Sequence, residues 1–464
     1  MKKYPVLSLR ERVRPHTDYD GSGVTIAFVD SGYYPHPELR GRILKFVDVS
    51  SEAFTEKDFH TIRPSSWHGT MVACSACGNG IWSKGYYRGI ASGANVVLIK
   101  AFDGKKVKSS YILKSLTWII AHHKPYHIRV VSVSVGGDRN EPSEKSRICK
   151  AIHRLHQLGI TVIAAAGNNP SRPVIPPASC RFAIAVGGIY DHNDKNPDTA
   201  SEYGSSYGIT LDGLSKPEIV AHARFLPAPM LPDNFTYEES QILHVLYKTP
   251  ANNLKRKLRS LIHKTRLDAA ILSLNPAEIK KAIRQRMDGE KFIAPGFQHV
   301  DGTSFAAPII AAVVAQMLEA NPLLTPTMIR MILETTAKRV PGIAPEKQGF
   351  GLVQAKACVE QALIETSMPE IHESPLILKD RIVFLYYHRN IRKVNLVGDF
   401  TDWQKNKLLL VEIRPGVWRV DIPLLSAGQY HYKFFVDDTL WTEDPLNPHK
   451  ISDPFGGMNN ILHI

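Results

Sequence analysis

Short, uninterrupted apolar runs alternate along the first part of the chain with segments whose apolar residues recur every three or four positions. Residues 24–29, 95–101, 129–135, 160–166 and 182–186 are runs of the first kind and predict strands. Residues 109–122 and 143–158 are of the second kind and predict amphipathic helices. Strands this apolar are buried on both faces. Their alternation with helices predicts an α/β fold, a parallel sheet with helices on both sides. Sites in such sheets are built at the carboxyl ends of strands. Asp30-Ser-Gly32, Gly136-Gly137 and Gly167-Asn168-Asn169 fall at such ends.

Two later changes of pattern divide the chain. Between residues 232 and 292, Leu254, Leu258, Leu261 and Ile262 mark one amphipathic helix. Asn275-Pro276 followed by Ile279, Ile283 and Met287 marks a second, with a cap and a proline at its first position. After Leu363 helical spacing stops, and the Pro- and Glu-containing stretch 364–375 is a linker by composition. Beyond it come short strands at 381–387, 393–397, 408–413, 418–422 and 429–436, separated by turn residues. They predict an antiparallel β-sandwich over residues 376–464. The expected layout is a leader over 1–17, an α/β domain over 18–363 with an insertion at about 232–292, the linker, and the sandwich.

Composition adds constraints. With 44% hydrophobic and 22% charged residues, a 464-residue chain buries a large core. The N-terminal stretch returns to charge after a few apolar residues, and no run approaches the roughly 18 apolar residues of a membrane helix, so no signal peptide or membrane partner is expected. Five cysteines, an odd number, point to reduced thiols and a cytoplasmic location. Cys74 and Cys77 are spaced as C-x-x-C, but no second pair completes a zinc site, and they are expected to pack in a buried helix. The formal charge is +13, and much of the excess is local: residues 248–291 hold twelve Lys or Arg against four acids. A local basic surface implies an acidic partner or a solvated helical face and argues against a nucleic-acid-binding protein throughout.

Candidate chemistry centres on Asp301-Gly-Thr-Ser-Phe-Ala-Ala-Pro308. Gly302 supplies a tight turn, and the apolar run from Ile309 predicts a buried helix whose free N–H groups begin beside Ser304. Asp30, His68, Asn168 and Ser304 all fall at strand ends or helix starts. Six stretches, Ala27-Phe-Val-Asp-Ser-Gly32, His68-Gly-Thr70, Ser134-Val-Gly-Gly137, Ala164-Ala-Ala-Gly-Asn168, Lys216-Pro-Glu-Ile-Val-Ala221 and Gly302-Thr-Ser-Phe-Ala-Ala-Pro308, resemble those of the subtilisin-like serine peptidases, in the family's order. The resemblance covers residues 18–363. It implies that Ser304 is the nucleophile, His68 the general base and then acid, Asp30 the carboxylate that orients the imidazole, and Asn168 an oxyanion donor. A peptide or protein substrate is expected to pair with residues 133–137 and 93–97, and the small side chains at 164–167 favour an apolar or neutral residue in the adjoining pocket.

The sequence departs from the family in three places. Only a short leader precedes the matched region, and Met1 to Leu9 are expected to lie across the cleft as an inhibitory peptide. No carboxylate cluster follows the His68 segment, so no metal or cofactor is assigned. His222-Ala223 replaces a common Pro-Gly, and about 80 residues separate that point from Gly302, which places the basic insertion close to the active site. The C-terminal segment, with Val394-Asn-Leu-Val-Gly-Asp-Phe-Thr-Asp-Trp403, Tyr430-His-Tyr-Lys-Phe-Phe-Val-Asp437 and Met458-Asn-Asn-Ile461, resembles the glycogen-binding modules of AMP-activated kinase β subunits and branching enzymes. That likeness implies that Trp403 and Trp441 stack on sugar faces while Lys433 and Asn459 make polar contacts, with glycogen or another α-glucan as the ligand. The sequence Phe455-Gly-Gly457 breaks the polar pattern of the binding loop. The alternative reading is a catalytically silent peptidase scaffold that works as a glucan- or protein-binding adaptor.

Overall fold

The structure, a computed structural model, describes residues 6–51, 56–365 and 373–464. Seven parallel strands form the first domain's sheet: β1 (Thr25–Asp30), β2 (Ile43–Asp48), β3 (Asn95–Lys100), β4 (Ile128–Val133), β5 (Thr161–Ala165), β6 (Ala183–Tyr190) and β7 (Ile219–His222), in the order β7-β6-β5-β4-β1-β3-β2. A two-residue strand, Ser201–Glu202, pairs antiparallel with β6. Both faces are covered. Ile26 and Phe28 of β1 enter a core with the helices Ser66–Cys77 (α2) and Thr303–Ala320 (α8). Ala27 and Val29 face Ser109–His122 (α3) and Arg147–Gln157 (α4). The expected α/β fold is present.

No apolar run marks β2, which lies at the sheet edge and is only partly buried. α8 is 18 residues long and apolar enough to cross a membrane, yet 89% of it is buried among the strands as the central core helix. Helix α4 starts later than its apolar spacing predicts, because Ser146 caps it while the Ser143 N–H is held by Asp212. One cysteine expectation fails. Cys149 of α4 is disulfide-bonded to Cys180, which removes the odd-cysteine ground for a reducing cytoplasmic setting. Cys74, Cys77 and Cys358 are free and buried, and burial pushes the Cys77 and Cys358 thiols up to about 12, where they are inert at neutral pH.

The leader is part of this domain. A capping box at Ser8 starts the short helix α1 (Leu9–Val13), and Leu9 and Val13 join the main core. Val6 packs with Tyr87, Ile293 and Phe297. Residues 6–9 are therefore wedged between domain elements and do not lie across the cleft; residues 1–5 of that expectation fall outside the described residues. Arg12 anchors the wedge. Its guanidinium, with no exposed side-chain surface, pairs with buried Asp191 and donates to Asn193 Oδ1 (2.9 Å), the Phe225 carbonyl (3.0 Å) and the Leu7 carbonyl (3.2 Å).

The insertion is closed at its base by β8 (Leu226–Pro229), antiparallel to β10 (Phe297–Val300), which also pairs with β9 (Phe292–Ala294). Between them lie α5 (Phe235–Lys248), α6 (Ala251–Leu261) and α7 (Pro276–Gly289), where the predicted Asn275 cap forms a capping box with Glu278. Part of the basic excess is internal. Arg266 and Arg286 both bind the fully buried carboxylate of Glu239, whereas Arg256, Lys257 and Arg259 line the exposed face of α6 opposite Leu254 and Leu258.

In the C-terminal module two antiparallel sheets face each other around Ile382, Phe384, Tyr386, Leu396, Trp418, Tyr432 and Phe434. The predicted strand 408–413 is two pieces: Leu408–Leu409 pairs in one sheet and Val411–Arg414 in the other, so the chain changes sheets at buried Leu410. The alternate positions of Arg381–Tyr387 are also buried. Val383, Leu385 and Tyr387 pack with Met331 of the first domain's helix α9 (Pro326–Thr336), so the module is docked on that domain.

Arg12→Ala leaves Asp191 buried without its cation, and breaking such a pair costs about 3–5 kcal/mol. Urea denaturation should show that loss, and Arg12→Ala combined with Asp191→Asn should be more stable than Arg12→Ala alone.

Candidate active site

Asp30 is the last residue of β1, fully buried at the carboxyl edge of the sheet. His68 lies in the first turn of α2, and that helix reaches Asp30 only because Gly69 follows. A Cβ at Gly69 would lie 2.4 Å from the Gly32 carbonyl oxygen and 2.9 Å from the Asp30 Cβ. His68 Nδ1 is 2.7 Å from Asp30 Oδ1, and His68 Nε2 is 3.0 Å from Ser304 Oγ. A carboxylate only accepts, so Nδ1 carries the proton and Nε2 is left to accept from the serine hydroxyl. Burial, the largest single effect, pulls the His68 pKa down. The charge of Asp30 and its hydrogen bond together outweigh burial and hold His68 above the ordinary histidine value. The Phe305 ring, 5.5 Å away and edge-on, backs the imidazole.

Ser304 is placed by the turn before it. Gly302 has φ +139°, and a Cβ there would sit 2.9 Å from Ser304 Oγ and 3.6 Å from Asn168 Nδ2. The hydroxyl and the amide therefore flank one small space beside the start of α8. Asn168 follows β5. Its Oδ1 accepts from the Thr303 N–H (2.8 Å) and the Thr303 hydroxyl (2.9 Å), which turns Nδ2 away as the donor. Thr303 also accepts from the Gly167 N–H at 3.2 Å. The sequence reading missed this role of Thr303, although the residue stands inside the quoted motif. Asp30, His68, Asn168 and Ser304 are thus brought together.

Of the two expected substrate edges, one is available. After β4 the chain leaves the sheet, with Ser134 Oγ donating to the Ser304 carbonyl (2.9 Å) and Gly136 exposed. Residues 93–97 do not qualify, because β3 lies between β1 and β2 with both its edges paired. Ala164 is fully buried within β5 and cannot line a substrate pocket; Ala165 and Gly167 retain partial exposure.

A second constellation occupies the module. Trp403, Lys433, Trp441 and Asn459 line one cavity of about 920 Å³, so the four sequence-predicted residues converge. The indoles of Trp403 and Trp441 stand 6.5 Å apart, and Asp399 fixes the first through Trp403 Nε1 (2.9 Å). Lys433 is buried and its ammonium is engaged by Asp453, whose other oxygen accepts the N–H groups of Phe455 and Gly457 at 2.8 Å. Lys433 therefore orders the loop as well as lining the cavity. Phe455, read from sequence as a break in the pattern, is 94% exposed at the cavity rim and adds a third aromatic.

Comparison with known proteins matches each of the two domains to a family. Residues 21–351 match the subtilase family, and residues 382–464 match the glycogen recognition site of AMP-activated protein kinase. The serine protease AprX of Bacillus subtilis is 27% identical over 360 residues, covering 75% of this chain and 69% of AprX. An extracellular protease of Xanthomonas campestris is 25% identical, over 76% of this chain and 54% of its own length; subtilisin E of Bacillus subtilis is 29% identical, over 42% and 48%. Fervidolysin from Fervidobacterium pennivorans, a keratinolytic enzyme related to subtilisin, shares the fold at TM-score 0.50 and 19% identity, over 90% of this chain and 53% of that one. With the family match spanning most of its length, the chain belongs to the subtilase family and carries a glycogen-binding-type module at its C-terminus.

Proposed function

We propose that the chain is a serine endopeptidase that cleaves protein substrates through an acyl-enzyme at Ser304 while its C-terminal module holds it on an α-glucan. The observation that carries the peptidase reading is the continuous relay from Asp30 through His68 to Ser304, at 2.7 and 3.0 Å. Ser304 Oγ attacks the scissile carbonyl carbon as its proton passes to His68 Nε2. The resulting oxyanion lies toward Asn168 Nδ2 and the Ser304 N–H. Collapse expels the amine, which takes the proton from His68, and a water then repeats the sequence to release the acid. An extended substrate pairs with residues 134–137, and the partly exposed Ala165 and Gly167 favour an uncharged side chain beside the scissile bond. For the glucan reading, the support is the pair of indoles with Phe455 around one cavity, which offers flat faces to pyranose rings. The exposed cations of α6 give the insertion a face for an acidic partner.

A fluorophosphonate probe should label the wild-type protein and not Ser304→Ala. Asn168→Ala should keep labelling while losing about 3 kcal/mol of transition-state stabilisation, a 10²–10³-fold fall in kcat. Unlabelled, folded wild-type protein would leave only the adaptor reading.

His68 must be neutral to accept the serine proton, so activity rises with pH through its pKa. Since Asp30 holds that pKa up, the acidic limb of kcat/KM should lie above the ordinary value of about 6.5. Asp30→Asn removes the raising contribution and leaves burial, so it should shift the limb to lower pH as kcat drops about 10⁴-fold. An unmoved limb contradicts the assignment.

For the module, co-sedimentation with glycogen should be lost in Trp403→Ala/Trp441→Ala. Retained sedimentation of that variant removes the aromatic face as the binding surface.

A further inference from the structure

The cavity that holds the indoles is not enclosed by the module alone. Its lining includes Arg339, which belongs to the first domain and follows α9. Glu443, two residues after Trp441 and 95% buried, also lines it and accepts from Arg339 NH2 at 2.6 Å. One wall of the cavity is therefore an ion pair that crosses between the domains.

The backbone that carries Arg339 is firmly built. Lys338 and Leu352 exchange two hydrogen bonds, at 3.0 and 2.8 Å, and Leu352 continues into a bridge with Val220 of β7. Gly351, at φ +120°, permits that approach: a Cβ there would lie 2.4 Å from the Lys338 carbonyl oxygen and 2.6 Å from the Arg339 nitrogen. Arg339 Nε makes a long contact, 3.4 Å, with the Gly349 carbonyl, and about a third of the side chain remains exposed. A guanidinium has five N–H donors in a fixed plane, more than these two acceptors use. Vicinal hydroxyls of a pyranose present oxygens at a spacing that such a fork meets, and the Glu443 carboxylate beside it accepts from their O–H groups.

We propose that Arg339 is a glucan-contact residue supplied by the peptidase domain, so that the sugar site is shared and an α-glucan bound across Trp403 and Trp441 also holds the module against the peptidase. The inference rests on the glucan reading above. It makes sugar binding depend on a residue outside the module, and it makes the docked arrangement of the domains the one that binds.

The test is a calorimetric titration of maltoheptaose into the full chain. Arg339→Ala and Arg339→Gln should each weaken binding about tenfold, the effect expected of one charge-assisted hydrogen bond. Trp441→Ala should abolish it. Loss in Trp441→Ala with wild-type affinity in both Arg339 variants overturns the shared site and leaves the glucan reading standing; no binding by the wild type sinks both. Because Arg339 variants also loosen the docked module, direct contact is read on the unsubstituted arginine. Phenylglyoxal modification of Arg339, followed by peptide mass spectrometry, should slow several-fold when maltoheptaose is present and should not slow in Trp441→Ala. An unchanged rate in the wild type at saturating sugar overturns the contact.

Discussion

The arrangement of the peptidase site depends on one backbone conformation, that of Gly302. At φ +139° the chain turns from the insertion's last strand into α8 within three residues, and the space a side chain would fill is the space between Ser304 Oγ and Asn168 Nδ2. The turn is tied on each side. Gly302 N–H donates to the Ala223 carbonyl at 2.7 Å, the Asp301 carboxylate accepts the Phe225 N–H at 2.7 Å, and Thr303 holds Asn168 through two hydrogen bonds. Segments distant in sequence therefore set the position of one hydroxyl. Arg12 extends the tie to the N-terminus, since Phe225 donates to Asp301 through its N–H and accepts from Arg12 through its carbonyl. A neutral His222, pulled down to about 4 by burial, stands 3.7 Å from the Asp191 that Arg12 neutralises.

Buried charge is the second organising constraint. Lys216 and Glu218 come from a stretch that resembles the family's motif, yet neither is near the hydroxyl. The Lys216 ammonium, fully enclosed, donates to Glu218 (2.5 Å) and to the carbonyls of Cys180 (3.0 Å) and Ala183 (2.9 Å). Arg330 of α9 donates to the same Glu218 oxygen at 2.7 Å and to the Arg181 and Ala183 carbonyls. Burial pushes the Glu334 carboxyl, 3.6 Å from Arg330, up to about 8. Lys450 of the module enters the same region, its ammonium 3.4 Å from the Phe350 ring centroid. Such a cluster gives little net stability, because desolvation offsets attraction, but a misdocked module strands its charges. It acts on register.

Much of this was legible in the sequence. Strand positions followed from apolar runs, and Asp30, His68, Asn168 and Ser304 followed from motifs at strand ends and helix starts. What stayed hidden depends on partners far along the chain. The Cys149–Cys180 pair joins a helix to the loop before β6, and an odd cysteine count concealed it. Residues 93–97 looked like an available edge, but strand order is set by crossovers that local pattern does not record, and β3 is interior. The leader read as an inhibitory peptide across the cleft because Arg12 resembles any surface arginine until Asp191 is placed beside it. Phe455 looked like an error in a polar loop, since exposure at a cavity rim has no signature in the residues beside it.

The module's strand Arg381–Tyr387 misleads in one respect. A sandwich strand exposed on its outer face alternates apolar with polar residues, whereas Arg381–Tyr387 is apolar at every position after the first. Ile382, Phe384 and Tyr386 fill the module's own core, and Val383, Leu385 and Tyr387 meet Met331 and Leu446. A continuous apolar run in an antiparallel strand is thus the trace that docking leaves in the sequence. The cost of exposing those three side chains, roughly 1.5–3 kcal/mol each if fully bared, favours a docked module over a tethered one. A docked module keeps Arg339 against Glu443, and so keeps the wall between the two domains closed.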